Sequence, residues 1–210
     1  MRKLARNAAT VAVAMVAAAG FAATSASATT TATWTVSGGP NFTGTAGKTT
    51  LTDTKTGTQL NCVSSSATGT AKTGSGLSGT GLADIKTISF TTCSGPLGIK
   101  FTVTPNKLPW KLNAVSYNAS TGVTTGTITG ISAKLSGATC NADIDGPSGA
   151  NTGSGSVNAT YTNSTHTLAV SGGNLRPYNA TGCLGLINNG DATTFVSSYV
   201  VSPALTVTSP

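Results

Sequence analysis

Apolar and polar residues alternate in short runs along most of the chain. A period of two turns one side of each run toward a core and the other toward water. The alternation is clearest over Ala32–Val36, Asp84–Phe90, Ile99–Val103, Trp110–Tyr117, Val123–Ile128, Val157–Thr162, Thr165–Val170 and Phe195–Val201. Glycine, asparagine and serine separate these runs. Asn118-Ala119-Ser120-Thr121-Gly122 and Asn163-Ser164 have the composition of hairpin loops. Beyond residue 28 no stretch keeps a helical period for three turns. A single short turn of helix is expected between Gly182 and Asp191. Many short strands with frequent turns predict an all-β body, a sandwich or barrel.

The first residues break this pattern. Arg2, Lys3 and Arg6 precede an uncharged Ala/Val run from Ala8 to Ala23, and Ala26-Ser27-Ala28 follows. A basic start, an apolar run and an A-x-A site are the marks of a cleaved signal peptide over residues 1–28, with the all-β body over 29–210. The run is shorter than the roughly 20 apolar residues a membrane span needs, so no span is expected after cleavage.

Composition then narrows the surface. Charged residues make up 8% of the chain and there are 26 glycines. Threonine is abundant, and its branched Cβ suits a pleated strand. The formal net charge of +7 includes the three basic residues of the leader; without them nine basic residues face five Asp. The lysines are scattered, so no nucleic-acid footprint is expected. The surface is instead wetted by hydroxyls and amides, which leaves cell-wall glycan, another surface protein or a small apolar ligand as the expected partners.

Four cysteines in an exported chain predict two disulfides. A repeated order of residues guides their pairing. Residues 34–105 run Trp34, Cys62, Cys93, Leu97-Gly98, a strand and Pro105; residues 110–203 run Trp110, Cys140, Cys183, Leu184-Gly185, a strand and Pro203. If these are two halves, Cys62–Cys93 with Cys140–Cys183 is the simplest pairing. Cys62–Cys183 with Cys93–Cys140 respects the same symmetry. The short, stiff joint Pro105–Pro109 favours one fused body over two mobile domains.

Catalytic chemistry finds little support. His166 is the one histidine and sits in a strand-like run, and no serine lies in a G-x-S-x-G elbow. Asp143 and Asp145 share a strand face, which is a weak basis for a hydrolase. Asn141, Asp143 and Asp145, followed by Gly146, match the first half of a calcium loop, but Thr152 stands where a bidentate Glu belongs. Calcium is therefore a weak expectation, and no other cofactor is expected. Gly74–Gly79 fits G-x-G-x-x-G without the helix that a nucleotide site requires. No catalytic residue is assigned.

The leader, the two Trp-to-Cys halves and the phrases Leu108-Pro109-Trp110-Lys111-Leu112, Gly126-Thr127-Ile128-Thr129-Gly130 and Leu186-Ile187-Asn188-Asn189-Gly190-Asp191 resemble exported Thr/Gly-rich all-β proteins of actinobacteria. The resemblance implies an extracellular location and a β fold. It implies no activity and carries no site residues.

Two functions follow as expectations. The first is a secreted, non-catalytic surface or matrix protein that binds cell envelope, glycan or protein and needs no enclosed cavity. The second is an extracellular carrier that holds a small apolar ligand between sheets. For the carrier, the aromatic residues Trp34, Phe101, Trp110, Phe195 and Tyr199 are the candidate pocket.

Overall fold

The computed structural model describes residues 32–210, which form one unit. The expected signal peptide lies outside the described residues. The strands are β1 (Thr33–Ser37), β2 (Asn41–Ala46), β3 (Thr49–Asp53), β4 (Gln59–Ala71), β5 (Gly74–Ser78), β6 (Ala83–Ser94), β7 (Lys100–Asn106) and β8 (Trp110–Asn118). They continue with β9 (Val123–Gly137), β10 (Asn141–Asp145), β11 (Gly155–Thr162), β12 (Thr167–Ser171), β13 (Arg176–Thr181), β14 (Thr193–Ser202) and β15 (Thr206–Thr208). All eight alternating runs lie on strands, though β12 starts two residues later than expected. The stretch from Gly182 to Asp191 forms hydrogen-bonded turns and no helix, with Leu186 N–H donating to Cys183 O and Asp191 N–H to Asn188 O. Three glycines and two asparagines favour such turns over a helix. The helical turn that does form is a 3₁₀ turn at Pro96–Gly98.

The large sheet closes on itself. β2 and β3 act as one bent strand: both lie between β4 and β14. β7 and β8 do the same between β6 and β9. The ring then reads β2/β3, β4, β6, β7/β8, β9, β11, β12, β14 and back to β2/β3, every pair antiparallel. The strands follow sequence order, so this is an eight-membered up-and-down barrel with insertions. Closure removes the exposed edges that a Thr-rich sheet would otherwise offer to other chains.

The insertions dress the two ends. β5 pairs with β1, and β1 with β15, in a separate three-stranded sheet. The chain leading into β15 is clamped to the barrel by Tyr161 Oη donating to Leu205 O (2.8 Å) and by a reciprocal pair between the Asn163 side chain and the Val207 backbone. At the other end β10 and β13 extend the sheet. The upper half of β9 pairs with β10 where its lower half pairs with β11. Gly130 sits at this exchange with φ of +86°, a backbone region that side chains resist.

Both disulfides lie at the β10/β13 end. Cys62 and Cys93 are directly opposite each other on β4 and β6 and are bonded. Cys140 is bonded to Cys183, which ties the start of β10 to the loop after β13. Two disulfides belong to an oxidising compartment. Among the described residues no helix is long and apolar enough to cross a membrane. The two tryptophans that open the suggested halves occupy different places, Trp34 in the small sheet and Trp110 in the barrel wall. The stretches 34–105 and 110–203 also interlock, because β14 pairs with β2 and β3.

Candidate functional site

Inward-facing residues of an eight-stranded barrel either fill it or leave room for one small ligand. Here, beside Leu60 and Phe42, many inward positions of β4 and β2 are small: Ala67, Gly69 and Ala71 on one, Gly44 and Ala46 on the other. The side chains do not fill the space. Two cavities of about 90 Å³ each remain inside. The first lies toward the disulfide end, among Leu60, Ile85, Trp110, Ile128, Phe195 and Tyr199. The second lies toward the small sheet, among Val36, Leu82, Leu112, Tyr161, Leu205 and Val207.

Phe42, Leu168 and Val201 line both cavities and so form the partition between them. Phe42 stands in the interior because Gly69 opposite it has no side chain. A Cβ at Gly69 would lie 2.5 Å from Phe42 Cζ, and still closer to the Asp84 carbonyl. Gly44 faces Tyr199, where a Cβ would make ordinary contact at 3.5 Å.

The walls are apolar and uncharged, with a few hydroxyls. Tyr199 Oη accepts a hydrogen bond from Ser65 Oγ (2.8 Å) deep in the barrel. Burial raises the Tyr199 pKa, against a smaller opposing effect of the hydrogen bond with Ser65. Burial raises the pKa of Tyr161 as well. Both phenols therefore remain neutral at physiological pH. Thr49 Oγ1 in the first cavity and Thr124 Oγ1 in the second are buried without a hydrogen-bond partner. The other buried side-chain atoms without a partner among the described residues, Asp53 Oδ2, His166 Nδ1, Thr193 Oγ1 and Ser197 Oγ, belong to residues outside both linings.

Of the five aromatic candidates, the structure brings three together. Trp110, Phe195 and Tyr199 line the first cavity. Phe195 also packs edge-on against Phe90, with ring centroids 6.1 Å apart. Trp34 and Phe101 are packed elsewhere. Trp34 is 1% exposed and lies against Gly79 beneath the small sheet. Phe101 lies between Gly95 and Gly137, beside the Cys140–Cys183 bridge. Sequence reasoning missed Phe42, Leu168, Val201, Thr49 and Thr124. Leu168 and Val201 are alternating core positions of strands that the pattern did find. The threonines carry no signal in so Thr-rich a chain.

The residues of the calcium motif make other contacts. Asn141–Asp145 is a strand, not a loop that wraps an ion. Asp145 is fully buried. Its Oδ1 accepts hydrogen bonds from the backbone N–H of Gly146 (2.7 Å) and Ser154 (2.9 Å) and from the hydroxyls of Thr152 and Ser154. Its Oδ2 accepts one from Gly153 N–H (3.1 Å). Burial on its own would raise the Asp145 pKa. Hydrogen bonds from Gly146, Gly153, Ser132 and Ser154 outweigh burial and hold the pKa below its ordinary value. The carboxylate thus organises the 146–154 turn. Thr152, the residue in the twelfth place, acts there as a donor to Asp145. Asp143 accepts instead from Asn179 Nδ2 (2.8 Å). The two carboxylates serve different local contacts and do not face a common cleft. Among the described residues no group of three or more His, Cys, Asp or Glu side chains could hold a metal ion.

The remaining candidates are structural. His166 closes the β11–β12 hairpin with φ of +51°, and its carbonyl accepts from Val201 N–H. Gly74–Ser78 is β5, an edge strand of the small sheet. No protein-family model, curated protein or solved structure matches the chain. The functional reading therefore rests on the interior of the barrel.

Proposed function

We propose that this protein is an exported carrier that holds a small apolar molecule inside its barrel. The observation that carries the reading is the pair of apolar cavities that the inward side chains leave unfilled. Dry apolar cavities bind apolar guests, as an engineered cavity of about 150 Å³ binds benzene or xenon. Chambers of about 90 Å³ are far below the roughly 300–1,000 Å³ of drug-sized sites. The ligand is accordingly small. The leader-like start and the two disulfides support an extracellular setting. A surface or matrix binding protein remains the alternative, but it has no account of the interior.

Xenon tests the reading directly. Under xenon pressure, the methyl resonances of Leu168, Val201 and Ile128 are expected to shift and saturate. Unmoved interior methyls, or shifts confined to the exposed Val63 and Val115, would overturn it.

A further inference from the structure

We infer that the ligand is a slender, uncharged chain bearing a hydroxyl or carbonyl oxygen, threaded past Phe42 so that it occupies both chambers. This inference rests on the carrier reading above and names its ligand class. Size gives the first argument. One chamber of about 90 Å³ is smaller than the cavity of roughly 150 Å³ that admits benzene, whereas the two together exceed it. Phe42, Leu168 and Val201 line both chambers and stand between them. Displacing these side chains asks less of the barrel than breaking its strand pairing, so a narrow chain can join the chambers. A wide ring system would require paired strands to separate.

The hydroxyls give the second argument. Thr49 is 1% exposed and Thr124 is 6% exposed, and neither Oγ1 has a partner. One lines each chamber. A buried hydroxyl without a partner is destabilising, and a ligand oxygen relieves it. Thr49 shares its chamber with Tyr199, whose hydroxyl is held by Ser65. An oxygen-bearing head thus belongs beside Thr49, and an oxygen at the far end of the chain would meet Thr124.

Charge gives the third argument. No Lys, Arg, His, Asp or Glu lines either chamber. An ionised carboxylate or ammonium would lose its hydration there and gain no counter-charge. The head is therefore an alcohol, ketone, aldehyde or ester and not a fatty-acid anion.

The test compares three probes on the disulfide-intact protein by methyl NMR: 1-octanol, octanoate at pH 7, and xenon. 1-Octanol is expected to shift Ile85 in the first chamber and Leu112 in the second, and to bind at least tenfold more tightly than octanoate. Thr49→Val keeps the shape of the side chain and removes its hydroxyl. It is expected to raise the melting temperature of the empty protein and to weaken 1-octanol by about tenfold, the loss of one hydrogen bond, with xenon unaffected. Thr49→Ser keeps the hydroxyl and is expected to keep the affinity. Octanoate binding as well as 1-octanol, shifts confined to one chamber, or an unchanged affinity in Thr49→Val would overturn the inference. Xenon binding without 1-octanol binding would remove this inference and leave the carrier reading standing. Failure of both would remove the carrier reading too.

Discussion

Asp145→Asn is expected to destabilise the protein by about 2–4 kcal/mol, the range for disrupting a buried, hydrogen-bonded carboxylate. The wild-type carboxylate accepts from three backbone N–H groups and two hydroxyls of the 146–154 turn. The amide presents one acceptor and one donor group, so the NH₂ would confront N–H groups that also need acceptors. The same residue makes stability depend on acid. Its pKa is held below the ordinary carboxylate value in the folded state. The unfolded state thus binds more protons in that window, and stability rises with pH there. The contribution is fully present above about pH 4, the unfolded value, and is lost as pH falls through the lower folded value. Urea unfolding of wild type and Asp145→Asn between pH 2 and 7 checks both points. The gap between them should narrow in acid. A gap that stays constant below pH 4 would show that the charge of Asp145 contributes nothing to stability.

Removing both disulfides is expected to have the larger effect. The bridges close loops of 31 and 43 residues. On the loop-entropy argument these are worth about 3.7 and 4.0 kcal/mol. Together they match a large part of the roughly 5–15 kcal/mol by which domains are stable. The two should fail differently. Cys62–Cys93 staples β4 to β6, which already share a long ladder. Cys140–Cys183 holds the 182–191 turns, whose backbone is otherwise tied by few hydrogen bonds. In the double variant Cys140→Ala/Cys183→Ala, amide exchange is expected to quicken first over 182–191. In Cys62→Ala/Cys93→Ala the loss is spread over the barrel. Full reduction should unfold the chain cooperatively at temperatures the oxidised protein survives. A reduced protein with an unchanged melting temperature would contradict the stapling argument.

The β class was legible because alternation survives wherever the inward residues are large. Trp110–Tyr117 and Phe195–Val201 show it plainly, and both are barrel strands. It fades where the inward residues are Ala, Gly or Ser, as over Ser65–Ala71 of β4, because a methyl or a hydrogen gives no contrast with threonine. Those small residues are also what leaves the interior unfilled. The feature that hid strands from the sequence is thus the one that makes room for a guest. Of the two disulfide pairings that the sequence left open, the structure has the simpler, Cys62–Cys93 with Cys140–Cys183. The burial of Asp145 did not, because its partners at Gly153 and Ser154 are ordinary loop residues until the turn brings their N–H groups together. Closure of the sheet, and hence the chambers, depends on β14 meeting β2 and β3 from the opposite end of the chain. No local pattern encodes that meeting.

The most direct test of the carrier reading is the mass of the protein recovered from its native host, measured under native and then denaturing conditions. The expected result is a native mass that exceeds the denatured mass by one small, uncharged molecule, with the denatured mass lower by four hydrogens than that of the same chain with all cysteines reduced. Identical native and denatured masses would show a barrel that travels empty and would contradict the reading.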